Sequence, residues 1–265
     1  MSRTRSYSPT IVALGVVIMI LVLAPIVFIV LYSFNKSAYL QLPPHGLTWH
    51  WYQNFFGSQR FRNALASSLL IAFITTPVTL AIAVPTAIAL VRYEFAGRQY
   101  ISTLLLSPLL VPGVVTGIAF LGFFTRVGVD TGLPSLIIAM ICFCLPYAVR
   151  TVLANMEGLD ATLEDAARNL GASRFAAFLN VTLPQLKPGL LAGGIFVFVE
   201  ALDNFSISVF LTNLNTTTLP VETYGYIRDF DDPTVAASAT LLIAVSVVLV
   251  LILQRAIGLE KTFAK

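Results

Sequence analysis

Six stretches of this chain are long and apolar enough to cross a lipid bilayer, and they restrict it more than any other feature. Residues 11–31, 64–91, 101–125 and 131–149 carry no charge. Each comes near or exceeds the roughly 17 to 25 residues that a spanning helix needs. Residues 188–211, charged only at Glu200 and Asp203, and 235–253 make two more apolar runs. The expected fold is an all-α integral membrane protein with six transmembrane helices in one domain, residues 1–265. Only 11% of residues are charged and 57% are hydrophobic, against about 25% charged in soluble domains.

Orientation follows from Lys and Arg on alternate sides of the spans. With the N-terminus inside, the inner side holds Arg3, Arg5, Arg92, Arg98, Arg150, Arg168, Arg174, Lys187, Arg255, Lys261 and Lys265. The outer side holds Lys36, Arg60, Arg62, Arg126 and Arg228. The bias predicts both termini in the cytosol. The first run, though preceded by Arg3 and Arg5, has no small-residue cleavage site behind it and reads as a retained span.

Pro25, Pro77, Pro85, Pro108, Pro112 and Pro146 fall inside the runs, where simple kinking is the default reading. Pro108 and Pro112, with Gly113 and Gly117, mark the third run for bending or close packing. Cys142 and Cys144 read as small apolar residues of the fourth run.

Between the fourth and fifth runs lies a polar segment within an inner loop of about residues 150–187, LEDAARNLGASRFAAFLNVTLP at 163–184. Thr162 with Asp165 three positions on forms a capping-box pattern, and Leu163, Ala166, Ala167 and Leu170 share one helical face. Gly171 suits the left-handed residue after a helix. Ser173 can cap a second helix carrying Phe175, Phe178 and Leu179, expected to end before Pro184. Such a hairpin cannot form its own core. It must lie on lipid, pack on the chain's own helix ends or enter a partner's groove. Glu164 and Asp165 beside Arg168 and Arg174 favour a protein partner over an anionic membrane surface.

Asp165-Ala166-Ala167, three residues, Gly171, nine residues and Val181-Thr182-Leu183-Pro184 resemble the signature loop of permease subunits of ATP-binding-cassette importers. That pattern is Glu-Ala-Ala, three residues, Gly, nine residues, Ile-x-Leu-Pro. Asp for Glu and Val for Ile are conservative departures. In the family this loop forms coupling helices that sit in a cleft of a cytosolic ATPase. The resemblance therefore implies that Glu164, Asp165, Ala166, Ala167, Gly171 and Ala172 couple the chain to that ATPase. It also implies a bacterial inner-membrane location, a second permease (a different chain in the polyamine type), two ATPase subunits and an external solute-binding protein.

The chain should not itself hydrolyse ATP. A phosphate-binding loop needs Gly-Lys followed by Ser or Thr, and Lys36, Lys187, Lys261 and Lys265 are the only lysines, none after a glycine. ATP and Mg belong on the partner ATPase, with no cofactor bound here and no nucleic-acid partner.

Glu200 and Asp203 are the acids within the fifth run. Intramembrane carboxylates are costly and face a cavity, a relay or a partner. Asn204, Ser206 and Ser208 continue the polar positions, and no Lys or Arg lies deep in any run. The acids require a second subunit's charge, a cationic substrate, water or a proton, and a packing contact between subunits stays open. Glu200, Asp203, Asn204 and Ser206 are the candidate substrate-path residues. Leu202-Asp203-Asn204-Phe205, Leu219-Pro220-Val221 and Leu47-Thr48-Trp49-His50-Trp51-Tyr52 resemble the polyamine-type permeases, which implies putrescine or spermidine as substrate. Related permeases handle iron, thiamine, phosphonates and opines. A secondary transporter or a membrane-embedded enzyme using the two acids are the rival classes.

Residues 32–63 and 212–234 form the long outer loops. His45 and His50 read as surface residues, and Trp49, Trp51, Tyr52, Phe55 and Phe56 as an interfacial anchor. Glu222, Asp229, Asp231 and Asp232 against Arg228 make the last outer loop acidic. The default there is solvation, and docking of a solute-binding protein is the functional alternative.

Overall fold

The computed structural model describes residues 9–38, 46–159 and 162–257. Arg3, Arg5, His45, Lys261 and Lys265 lie outside the described residues. The described residues are almost entirely helical: α1 Pro9–Tyr32, α2 His50–Gly57, α3 Gln59–Arg92, α4 Arg98–Leu106, α5 Gly113–Val127, α6 Leu133–Met156, α7 Thr162–Asn169, α8 Arg174–Ala177, α9 Leu183–Asp203, α10 Phe205–Leu211, α11 Leu219–Asp229 and α12 Thr234–Ile257. A 3₁₀ turn, Ser107–Leu110, follows α4, and a π turn, Phe178–Thr182, joins α8 to α9. Contacts divide the chain into two units, Met1–Gln59 with Thr223–Ala244 and Arg60–Glu222 with Val245–Lys265.

In the first unit α1 is apolar on every side and exposes its large side chains, as expected of a helix whose solvent is lipid. The chain then turns through an isolated bridge between Asn35 and Leu47. Trp51 Nε1 donates to the Asn35 carbonyl (2.7 Å) and the Tyr52 hydroxyl lies 2.8 Å from Ser33 Oγ. Trp51 and Tyr52 pack with Ala237 of α12, and Phe34, Ala38 and Leu241 close around them. This corrects the interfacial-anchor reading. Trp51, Tyr52 and Phe55 are buried, and only Trp49 and Phe56 remain exposed. Each buried indole or phenol has found a polar partner for its N–H or O–H, which makes its burial inexpensive. Asp232 is tied to the Tyr226 hydroxyl (2.7 Å) and the Thr234 amide (2.8 Å), while Asp229 and Asp231 are exposed.

In the second unit α6 packs along α9, and α5 along α10. Where α3, α6 and α9 converge, Ala87, Val152, Met156 and Leu186 form a core that Phe178 of the π turn also touches. At the other end of the unit the Leu219 amide donates to Ser68 Oγ (2.9 Å), and Arg60 lies 3.7 Å from Glu222.

Five helical segments among the described residues are long and apolar enough to span: Thr10–Tyr32, Gln59–Arg92, Leu133–Met156, Arg174–Asp203 and Thr234–Arg255. The third predicted run, 101–125, is not one helix. Pro108 and Pro112 cannot donate backbone hydrogen bonds, and Pro112 adopts an extended conformation with ψ 135°, so the run breaks between α4 and α5. At about 1.5 Å per residue, the 15-residue α5 reaches only about 22 Å of a hydrocarbon core about 30 Å thick. By contrast Pro25, Pro77, Pro85 and Pro146 lie inside continuous helices. The hairpin's second helix, expected to end before Pro184, instead runs on from Arg174 through the π turn into α9, with Pro184 in the first turn of α9, and the fifth run, 188–211, breaks after Asp203. Within that irregular turn Gln185 Nε2 donates to the Val181 carbonyl (2.9 Å).

Gly117 explains the closeness of α5 to α10. A Cβ there would stand 2.7 Å from the Phe210 ring and 2.9 Å from the Ser206 carbonyl oxygen, so only a residue without one lets the backbones meet.

Candidate functional site

The hairpin forms by local chemistry. α7 carries Glu164 and Asp165 in its first turn and Arg168 in its last, both favourable to the helix dipole. Thr162, expected as the cap, is the first helical residue. The chain leaves α7 through Gly171 at φ +93°. The Gly171 amide donates to the Arg168 carbonyl (3.0 Å) and the Ala172 amide to the Ala167 carbonyl (3.1 Å). This pair of bonds is a Schellman motif with glycine at its left-handed position. Ser173 then caps α8, its Oγ accepting from the Ala176 amide (3.2 Å).

The hairpin presents its apolar residues outward. Leu170 is 89% exposed, Phe175 71%, and among the described residues α7 buries none of its own. Asp165 and Ala166 are exposed as well, and Ala167 and Ala172 are half-buried. A cleft of about 560 Å³ runs between Asp165, Arg168, Asn169, Ala172 and Arg174. Leu170 and Phe175 are thus left open, while Ala177 is buried and Phe178 packs on this chain's own helix ends.

The two adjacent acids take opposite directions. Asp165 points out, its side chain 70% exposed and 3.8 Å from Arg168. Glu164 turns in, its side chain 16% exposed. Its Oε2 accepts from Arg92 Nη1 at the end of α3 and from Thr182 Oγ1 at the end of the π turn, both at 2.5 Å. Arg92 Nη2 also reaches Thr182 Oγ1 (3.4 Å). Partial burial pushes the Glu164 carboxyl upward, but the hydrogen bonds from Thr182 and Arg92 and the charges of Arg92 and Arg168 outweigh it. The carboxyl sits below the ordinary glutamate range. Arg92 and Thr182 escaped the sequence reading because their partner lies 72 and 18 residues away.

The other candidate group sits at a helix break. α9 stops at Asp203, and Asn204 takes an extended conformation (φ −71°, ψ 107°) before α10. Asn204 serves both helices. Its Oδ1 accepts from the Ile207 amide (2.9 Å), capping α10, and its Nδ2 donates to Glu200 Oε1 (2.8 Å). Glu200 is half-buried, Asp203 exposed and Asn204 buried. The structure thus brings Glu200 and Asn204 together and leaves Asp203 open. Ser206 packs over Gly113, and Ser208 is buried in α10. The polar positions are not one continuous helical stripe. On the adjoining helix Tyr147 of α6 stacks on Phe196 of α9, ring centroids 4.5 Å apart. Among the described residues no group of His, Cys, Asp and Glu is arranged to hold a metal ion.

Residues 56–259 match the family described as binding-protein-dependent transport system inner membrane component. The chain is 33% identical over 230 residues to the spermidine/putrescine transport system permease protein PotC of Haemophilus influenzae, covering 87% of this chain and 89% of that one. It is 29% identical over 227 residues to the putrescine transport system permease protein PotI of Escherichia coli, covering 83% and 80%. Among solved structures, a bacterial ABC transporter involved in import of the acidic polysaccharide alginate superposes with a TM-score of 0.71, at 16% identity and 94% coverage of both chains.

Proposed function

From the premise that this chain belongs to the family of binding-protein-dependent transport inner membrane components, we propose how it works as the permease subunit of an ATP-binding-cassette importer. It is a multi-pass membrane protein and not itself an enzyme. We propose that the whole chain, residues 1–265, acts as one permease domain with six crossings, the broken segment α4 to α5 supplying the sixth. Both termini and the hairpin face the cytosol.

In this reading the permease pairs with a second, different permease, two ATPase subunits that bind ATP and Mg, and an external solute-binding protein. Asp165, Ala166, Ala167, Gly171 and Ala172 form the side of the hairpin that meets the ATPase. The observation that carries this is the outward-facing hairpin, with Leu170 and Phe175 bare. Apolar side chains left open on a polar loop favour a protein groove. ATP-driven closure of the motor moves the hairpin, and that movement alternates access to the pathway.

The substrate is a polyamine, putrescine or spermidine. Support comes from the named activities of the relatives and from Glu200 and Asp203. In a low-dielectric setting these acids favour a cation, and Asn204 fixes the Glu200 carboxylate in place. Ser206 lies on the same path, where the backbone changes direction.

The test is to tag the chain, solubilise it gently and identify what co-purifies, then to measure uptake of labelled putrescine and spermidine in vesicles. Recovery of a homologous permease and an ATP-binding-cassette ATPase, with ATP-dependent uptake, is the expected result. Recovery of this chain alone in several mild detergents and with crosslinker would refute the assembly.

A further inference from the structure

α7 buries no side chain of its own, so apolar packing cannot fix it to the rest of the unit. A polar attachment to two other elements converges on one of its atoms. Glu164 Oε2 is shared by Arg92, the last residue of α3, and Thr182, the last residue of the π turn before α9. Arg92 also reaches Thr182 directly, so the three groups close a triangle.

The placement reinforces the bond. Arg92 lies at a helix C-terminus and Glu164 in a first helical turn, where the dipoles favour a cation and an anion respectively. Both are mostly shielded, with side chains 29% and 16% exposed, so solvent screens the pair less than a surface ion pair. Beneath it, Phe178 of the same π turn packs on Ala87, Val152, Met156 and Leu186. That core joins the ends of α3, α6 and α9. The π turn is itself a departure from regular helix, of a kind found most often where a helix has mechanical or chemical work.

We propose that Arg92, Glu164 and Thr182 form a clasp that carries displacement of the hairpin into α3 and α9 together, making Glu164 a positioning residue inside the chain and not part of the surface the ATPase meets. The proposal rests on the reading that the hairpin meets a separate ATPase. It divides labour between neighbours: Asp165 faces the partner, and Glu164 transmits what the partner does. A force on Leu170 or Phe175 then reaches two long helices through one ion pair as well as through the covalent path into α9.

The complete importer, purified through this chain and reconstituted in proteoliposomes, tests it by three readouts: ATPase recovered, ATP hydrolysed and solute transported per ATP. Glu164→Gln and Thr182→Val are expected to recover the ATPase at the wild-type ratio. Transport per ATP should fall by about three- to tenfold, the range between a screened and a well-shielded charged hydrogen bond. The exchanged pair, Arg92→Glu with Glu164→Arg, should restore part of that ratio relative to either single change, which a general loss of folding would not do. Asp165→Asn should instead reduce ATPase recovery. Wild-type transport per ATP in Glu164→Gln overturns the clasp alone. Loss of ATPase recovery in Glu164→Gln matching that in Asp165→Asn makes Glu164 a contact residue and also overturns it. If the unmodified chain recovers no ATPase, the underlying reading falls and the clasp with it.

Discussion

Replacing Gly117 by alanine tests the backbone contact between α5 and α10. A Cβ at that position would stand 2.7 Å from Phe210 Cδ2, 2.9 Å from the Ser206 carbonyl oxygen and 3.1 Å from Ile207 Cα. The phenyl ring can turn aside. The carbonyl oxygen and Cα are backbone, and they yield only if α10 moves away from α5. Overpacking of this kind costs about 1 to 3 kcal/mol, and the better helix propensity of alanine returns about 0.5 to 1 kcal/mol. The net loss is about 1 kcal/mol. Gly122, on the same helix, has nothing within 4 Å of its would-be Cβ, so Gly122→Ala is the matched control and should be neutral or slightly stabilising. Cys144 is free and fully buried. In a Cys142→Ser background, its labelling by a maleimide dye as detergent-solubilised protein is heated therefore reports unfolding. Gly117→Ala should lower the midpoint by about 2 to 4 °C. If the two alanine variants melt together at the unsubstituted temperature, the close packing of α5 on α10 is wrong.

At the hairpin turn, Gly171→Val forces an L-residue to φ +93°, a cost of about 1 to 2 kcal/mol, although its Cβ would meet open space. Transport-coupled ATP hydrolysis should drop in Gly171→Val and be largely kept in Gly171→Asn, and full coupling in the valine variant would show that the turn is not critical. Glu164 has its carboxyl lowered from an ordinary value of 4.5, so its tether is at full strength above that value and is lost as pH falls through the lower folded value. Amide exchange of α7, corrected for intrinsic rates, should stay constant from about pH 8 to about 5.5 and rise only in stronger acid; a rise near neutral pH would contradict this. Asp203→Asn should weaken ATP-dependent uptake of a cationic solute by about tenfold or more, as expected for loss of a charged partner, and unchanged affinity and rate would remove Asp203 from the path.

What could be read directly from the chain was whatever depends on neighbours in sequence. Gly171, two residues before Ser173, predicted both a left-handed turn and a capped second helix, and both are present, because Schellman and capping bonds close within a few residues. The uncharged runs predicted long helices, since in lipid a backbone must satisfy itself along its own length. The same logic misjudged Pro184, where a π turn and the Gln185 side chain let the helix continue, and residues 101–125, where Pro108 and Pro112 broke the run.

The direction of each side chain was decided by the tertiary structure. Sequence spacing put Glu164 and Asp165 together as one acidic pair, yet Arg92 and Thr182 turn the first inward while the second faces out. The aromatic residues of α2 read as an anchor in lipid, yet Ser33, Asn35 and Ala237 receive Trp51 and Tyr52 into a core. Glu200 and Asp203 both lie in α9, yet the Asn204 side chain holds the first by a hydrogen bond and the second is left open. Hydrophobic length and local hydrogen bonding are written along the chain. The partner of a charged or aromatic side chain is supplied by whichever distant segment the packing brings beside it.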